Sequence, residues 1–393
     1  MSEKRVLKGI TWGHSRGITP LLAGSQRFNE LHPDVEIVWK KRTLQEFADF
    51  PIEKLVNEYD LLIIDHPWVG TAAATSCVLP LNEHIDPTYL KDQELNSTGY
   101  SCQSYNYAGN QWALAIDAAT PVASFRADLL ERNGVKVPDT WEEVLELAES
   151  GRVAVPGIPV DLLMNFYMFC LALGEEPFRT QEEVVSEGKG VEALQTMKQL
   201  WILCDKEIFN FNPIAVAEAM TSTDKYFYCP FAYGYANYSR VGYAKHLLHY
   251  SDLVRFKQHG RLKSTLGGTG LAISASTAYK EECLRFAVWI NSPEVQQGLY
   301  TEYGGQPGHR SAWTNPRLNL ISNNYFQNTL PALDRAYVRP RYHGYLHFQD
   351  LAGAPVRDYL MGRGTEESAL AQINQIYKDS LMISNGSKET THG

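Results

Sequence analysis

The sequence predicts an α/β protein built as more than one domain, and three features predict it. Its 393 residues exceed what one ordinary core serves. Its first third alternates strand and helix patterns at crossover spacing. Its middle changes character, with paired extended segments and long helical runs ahead of a late, glycine-led strand. A chain that leaves one domain, builds a second and returns would explain this order, although periodicity alone does not establish it.

Residues 7–12 read as a strand, and the loop Gly13-His14-Ser15-Arg16-Gly17 follows. Thr19 reads as an N-cap with Pro20 at the first helical position, where its missing N–H costs nothing. Leu21, Phe28 and Leu31 then share one helical face, and Pro33 stops the helix. Val35, Ile37 and Trp39 alternate as a second strand, and residues 44–59 suggest another helix. The run Leu61-Leu62-Ile63-Ile64 suits a strand covered on both faces. Strand–helix–strand–helix–strand at this spacing implies an open α/β sheet with right-handed crossovers. Ligands of such sheets lie beyond the carboxyl ends of the strands, so loops 12–17 and 65–70 are expected at one mouth.

Further on, residues 111–117 and 121–126 read as consecutive extended segments, and 127–133 as a helix. Thr140 caps a helix over 141–150, with Glu142 and Glu143 in its first turn. Helical patterns continue over 161–173 and 191–204. Gly267-Gly268-Thr269-Gly270 opens a strand, and a helix runs on to Trp289.

Composition narrows the function. With 36 Lys and Arg against 45 Asp and Glu, the net charge is -9, unsuited to reading phosphates, so no nucleic-acid partner is expected. The cluster Lys40-Lys41-Arg42 reads as a solvated strand end, and no apolar run approaches the ~20 residues of a membrane span. Six dispersed cysteines offer no CxxC pair and no zinc spacing, so no metal or cofactor is implied. They allow disulfides without demanding them; Cys170 and Cys204 read as small core residues. Met1 to Arg5 runs straight into the first strand without an apolar h-region. The expectation is therefore either an exported protein whose leader has been removed or a cytoplasmic one.

The segment Gly109-Asn110-Gln111-Trp112-Ala113-Leu114-Ala115-Ile116-Asp117, the stretch Gly134 to Glu143 with its G-x-x-x-P-x-T-W-x-E pattern, and the loop Gly304-Gly305-Gln306-Pro307-Gly308-His309-Arg310 together carry a likeness. With Trp289-Ile290-Asn291-Ser292-Pro293-Glu294, Phe348-Gln349-Asp350 and the terminal helix 366–381, they resemble the bacterial extracellular solute-binding proteins of carbohydrate ABC importers. The resemblance implies a two-lobed periplasmic-binding-protein-like fold of type II, each lobe a mixed sheet flanked by helices and joined by hinge crossovers. It implies lobe 1 over 1–116 and 275–335, lobe 2 over 117–274, and a helical segment 336–393 near the hinge. It implies a monomer that closes on a small polar ligand and delivers it to permease subunits, without catalysis. The histidine- and arginine-rich front loops depart from the sugar-binding pattern.

Candidate ligand-binding residues follow. Trp12, Trp68, Tyr233, Tyr235 and Tyr238 can stack on sugar rings or pack between lobes. Asp65 and Asp117 end strands and can accept from hydroxyl pairs, or else cap the next element or fix the hinge. Arg16, His14 and His66, with Ser15 beside them, could bind an anion, because a guanidinium suits a carboxylate; an Arg16–Asp65 ion pair is the competing account. His309, Arg310, Arg341 and His343 lie in the return loop and the late segment. Gly268 belongs to a G-G-T-G string without the Lys-Ser/Thr of a phosphate loop, so a hinge needing free φ/ψ suits it better. A neutral sugar is the default ligand and a sugar acid or small carboxylate the alternative. An enzyme on this fold, resembling the thiamine-degrading enzymes, would use Cys77, Cys102 or Cys229 as nucleophile beside Asp65 or Asp117. A cytoplasmic sensor on the same fold is a further reading.

Overall fold

The computed structural model describes residues 4–43, 46, 52–257 and 259–389. Its strands are β1 (Arg5–Trp12), β2 (Val35–Arg42), β3 (Leu61–Ile64), β4 (Asn106–Tyr107), β5 (Asn110–Gln111), β6 (Leu114–Ala119), β7 (Pro121–Phe125), β8 (Tyr228–Tyr233), β9 (His249–Ser251) and β10 (Gly267–Ile273). The principal helices are α1 (Ser15–Leu31), α2 (Pro87–Leu95), α3 (Trp141–Glu149), α4 (Pro159–Ala172), α5 (Glu187–Trp201), α6 (Lys280–Ile290), α7 (Tyr345–Leu360) and α8 (Glu366–Glu389). Two compact units result. The first holds Met1–Ala119, Leu266–Leu320 and Arg341–His343; the second holds Thr120–Thr265, Ile321–Pro340 and Gly344–Gly393.

The first unit is a five-stranded mixed sheet in the order β2-β1-β3-β10-β6. β1 runs parallel to β2 and β3, whereas β10 is antiparallel to both β3 and β6. Its core gathers Leu7, Leu21, Phe28, Leu61, Ile63, Leu271, Phe286 and Ile290 between sheet and helices. Trp39 joins this core by giving its indole N–H to Ser25 Oγ at 2.7 Å. Leu31, read from the sequence as core-facing, is instead 46% exposed, since α1 ends there and runs past the sheet.

Helix α1 starts five residues before the proline-marked position. His14, not Thr19, is its N-cap: extended backbone at His14 turns its Nδ1 to accept from Arg16 N at 3.0 Å. Pro20 consequently sits inside the helix as its sixth residue, where it cannot supply the N–H that would reach Arg16 O one turn back. The helix expected over 44–59 is described only as the short turn Ile52–Leu55; residues 44, 45 and 47–51 lie outside the described residues.

The second unit is built on the antiparallel sheet β8-β7-β9. α3 carries the capping box expected from Thr140: its hydroxyl receives Glu143 N, and the Glu143 carboxylate receives Thr140 N. An aromatic cluster holds this unit, with Trp141 edge-on to Phe169 at 5.1 Å and Phe231 near Trp201 at 5.8 Å. β10, which the resemblance puts at the return end of its second lobe (117–274), pairs with β3 and β6 in the first unit's sheet. No helix of the described residues is long and apolar enough to cross a membrane.

Candidate functional site

Strand register assembles one edge of the first unit's sheet. Gly9 lies beside Leu61 and Ile10 beside Leu62, so Trp12 and Asp65 leave neighbouring parallel strands at the same end. Gly270 lies beside Ile64 in the antiparallel sense, which brings Gly268 and Thr269 to that end. Thr269 in turn faces Asp117 on β6. Loops 12–17 and 65–70 therefore share a mouth with the last residues of β6, as the crossover pattern led us to expect.

The centre of this mouth is an ion pair that the sequence did not identify. Arg16, 3% exposed, gives Nε to Asp117 Oδ2 at 2.9 Å and a terminal nitrogen to Asp117 Oδ1, a bidentate grip. Sequence had offered Asp65 as partner. Asp65 caps the short turn His66–Trp68 instead, accepting His66 N at 2.9 Å. Burial pushes the Asp117 carboxyl up, and the Arg16 guanidinium opposes that push. The guanidinium keeps its charge in any case, so Asp117 is what balances it.

Trp12 and Arg16 are locked together. The guanidinium stands 5.9 Å from the Trp12 ring centroid, and a Cβ on Gly17 would come within 2.5 Å of the same ring, so glycine is the residue that lets the helix start so close. His14, half-buried, is lowered to about 4 by burial first and by Arg16 second, leaving its imidazole neutral near pH 7. Ser15 opens α1 at the same place. His66 is fully buried, edge-on to Tyr105, and Trp68 is buried next to it.

Behind the pair, Gln306 Nε2 donates to Ala118 O at 3.1 Å, and Ala118 N donates back to Gln306 O at 2.9 Å. Tyr300 is fully buried, its hydroxyl pushed up by burial and by Asp117. Gly268 has φ of 91°, and a Cβ there would sit 2.3 Å from Asp117 O. Thr269 is 4% exposed, and its hydroxyl has no hydrogen-bond partner among the described residues. Neither Thr269 nor Gln306 was singled out from sequence; a lone threonine in a glycine run gave no signal.

The remaining candidates are spread more widely. Arg310 opens a short helix capped by His309, and its backbone N reaches Asn96 O at 2.7 Å. Arg341 spends Nη1 on the carbonyl oxygens of Gln103, Ser104 and Asn106 at 3.0, 3.1 and 2.7 Å, and His343 Nδ1 stands 3.3 Å from the Thr71 hydroxyl. In the second unit Tyr233 ends β8 with its hydroxyl 2.8 Å from Thr265 Oγ1. Tyr235 is buried against Tyr238, which lies in the turn Ala236–Ser239, and its carbonyl accepts the Tyr250 hydroxyl at 3.1 Å.

Within the second unit, α4 carries polar groups that sequence reading passed over. Asp161 and Asn165, one turn apart in an otherwise apolar helix, are 6% and 3% exposed. Asp161 Oδ2, Asn165 Nδ2 and the Trp201 indole nitrogen have no partner among the described residues. Burial alone pushes the Asp161 carboxyl to about 8. The signal was present: a carboxylate and an amide interrupt the run PVDLLMNFYMFCLA.

All six cysteines are free thiols. Burial pushes Cys77 up and takes Cys102 and Cys229 to about 12, the opposite of what a thiolate nucleophile needs. Among the described residues no group of three or more His, Cys, Asp or Glu is placed to hold a metal ion.

The fold is similar to several solved structures. The maltose-bound MalE3 of T. maritima aligns with a TM-score of 0.83 at 19% identity, covering 95% of this chain and 99% of that one. An ABC transporter solute-binding protein from Thermotoga lettingae bound with α-D-tagatose gives 0.81 at 17% identity, over 96% and 100%. One from Agrobacterium radiobacter in complex with ribitol gives 0.79 at 18% identity, over 96% and 99%. The family model described as bacterial extracellular solute-binding protein matches residues 16–297, well over half of the sequence. This chain belongs to the bacterial extracellular solute-binding protein family.

Proposed function

We propose that the protein captures a neutral polyhydroxyl solute, a carbohydrate or sugar derivative, at the mouth of the first unit and passes it to the permease subunits of an ABC importer. The observation that carries this reading is the charge balance there. Arg16 is gripped by Asp117 and His14 is held neutral near pH 7, so two of the three groups that suggested an anion are already spent. A carboxylate entering the mouth would compete with Asp117 for a guanidinium it already holds, and the displaced carboxylate would be left buried.

Sugar hydroxyls ask for something else: donors and acceptors beside an apolar face. Trp12 and Trp68 supply the face; Asp65, Ser15, His66 and Thr269 supply polar atoms. The Arg16–Asp117 pair, with Gly268 keeping the backbone close, forms the polar floor. Tyr233, Tyr235, Arg310, Arg341 and His343 stay in the proposal as outer candidates. The sugar-, polyol- and maltose-bound relatives support the same ligand class. The raised cysteines and the committed Asp65 and Asp117 carboxylates favour binding without catalysis. A family of extracellular proteins supports action outside the cytoplasm.

A thermal-shift panel tests this. It pairs neutral mono- and disaccharides and polyols with their matching sugar acids. Ligand at 100 times its Kd stabilises by ~2.7 kcal/mol. A hit among the neutral members supports the proposal; a preference for the acid of any pair overturns it.

A further inference from the structure

The first unit has a second concavity, at the opposite end of α1 from the mouth. From Arg16 to His32 the helix climbs roughly 24 Å at 1.5 Å per residue. There Phe28 and His32 meet the start of α2 and the last turns of α6 around a groove of about 540 Å³. That volume is in the range of small-molecule sites. Tyr89, Trp289 and Val288 are among its lining residues; the Tyr89 hydroxyl is already given to Val288 O at 3.0 Å. Phe28 packs against Trp289, ring centroids 5.4 Å apart and planes tilted by 52°.

The rim is made of donors. Arg285, His84 and the Trp289 indole line the groove, and among the described residues no hydrogen bond or ion pair engages any of the three side chains. The one carboxylate in the lining, Asp86, is committed to capping α2: it accepts Thr88 N at 2.7 Å and the Thr88 hydroxyl at 2.5 Å. Nearby Glu282 is held by Arg5. In a chain of net charge -9, an unengaged arginine over aromatic residues stands out against the field of the whole. Another concavity in the same unit, of about 620 Å³, lacks this feature, because Arg341 gives Nη1 to Asn106 O, Asn82 Nδ2 bonds Asn110 Oδ1 and Gln111 Nε2 bonds Cys102 O there.

We propose that this groove is a second ligand site, for a small aromatic carboxylate, with the ring between Trp289 and Tyr89 and the carboxylate at Arg285. An apolar body explains the walls, and an acceptor explains the unengaged donors. The site is independent of the solute mouth.

Isothermal titration with indole-3-acetate as the probe decides it. One equivalent is expected to bind, and the uncharged indole-3-acetamide is expected to bind about tenfold more weakly, as loss of a charged hydrogen bond implies. Arg285→Gln, an exposed position whose loss leaves the fold intact, should weaken the acetate by a similar factor and leave the acetamide unchanged. Val288→Glu should abolish both, with circular dichroism confirming its fold. Neither variant should alter binding of the solute hit found by the thermal-shift panel, so failure here is separable from failure there. No heat at millimolar probe, equal affinity for acetate and acetamide, or indifference to Arg285→Gln each overturns the proposal.

Discussion

Replacing Asp117 by asparagine should do more damage than any other single-atom change in the first unit. The side chains of Arg16 and Asp117 are 4% and 0% exposed, and the contact is bidentate. Asparagine keeps the shape but removes the Asp117 charge that faces the buried guanidinium. Breaking one partner of a buried pair costs about 3–5 kcal/mol, whereas replacing both by apolar groups of similar size is close to neutral. Asp117→Asn should therefore lose about 3–5 kcal/mol in urea unfolding, and the double variant Arg16→Met/Asp117→Leu no more than about 1 kcal/mol. Hydrogen exchange across 110–125 assigns the loss to β6. The same change should turn the mouth toward anions, since Arg16 then no longer faces the Asp117 carboxylate: sugar acids that the native protein ignores should bind Asp117→Asn. If the single variant lost under about 1 kcal/mol, or the double variant lost as much as the single, the pair would not be the coupled, buried contact described here.

Three further outcomes are expected. Asp161→Asn should stabilise the protein at pH 9 and flatten its pH dependence. The folded carboxyl sits at about 8 against an ordinary 3.8, so the native state holds a proton the unfolded chain releases. Its contribution is full below pH 4, falls as pH rises from there through 8, and amounts to at most about 6 kcal/mol, read from urea midpoints across that window. Thr269→Val should raise stability without ligand by about 1 kcal/mol, because a buried hydroxyl without a partner is removed, yet weaken binding of the solute several-fold in calorimetry. Gly268→Ala should cost about 1–3 kcal/mol in thermal unfolding, since φ of 91° and contact with Asp117 O both oppose a Cβ.

What could be read from the sequence depended on the range of the signal. Strands β1 and β3 were visible because burial on one or both faces leaves a local pattern, and the Thr140 capping box because its partners are three residues apart. The start of α1 was misplaced because Thr-Pro is a strong local start signal, whereas the actual cap depends on a histidine ring folding back two residues. The Arg16–Asp117 pair spans 101 positions, and no local pattern names a partner that distant; Asp65, nearer in sequence and acidic, was the obvious choice. β10 was seen as a strand, but its placement between β3 and β6 is a matter of topology. Asp161 and Asn165 were legible as polar breaks in an apolar helix, and only their burial gives them meaning.

Hydrogen exchange on the protein saturated with its best neutral sugar addresses the central claim most directly. Protection is expected to rise in segments 12–17, 65–70, 117–119 and 267–269, the four strand ends that meet around Arg16 and Asp117. A saturating sugar that leaves these four segments unchanged would contradict the account.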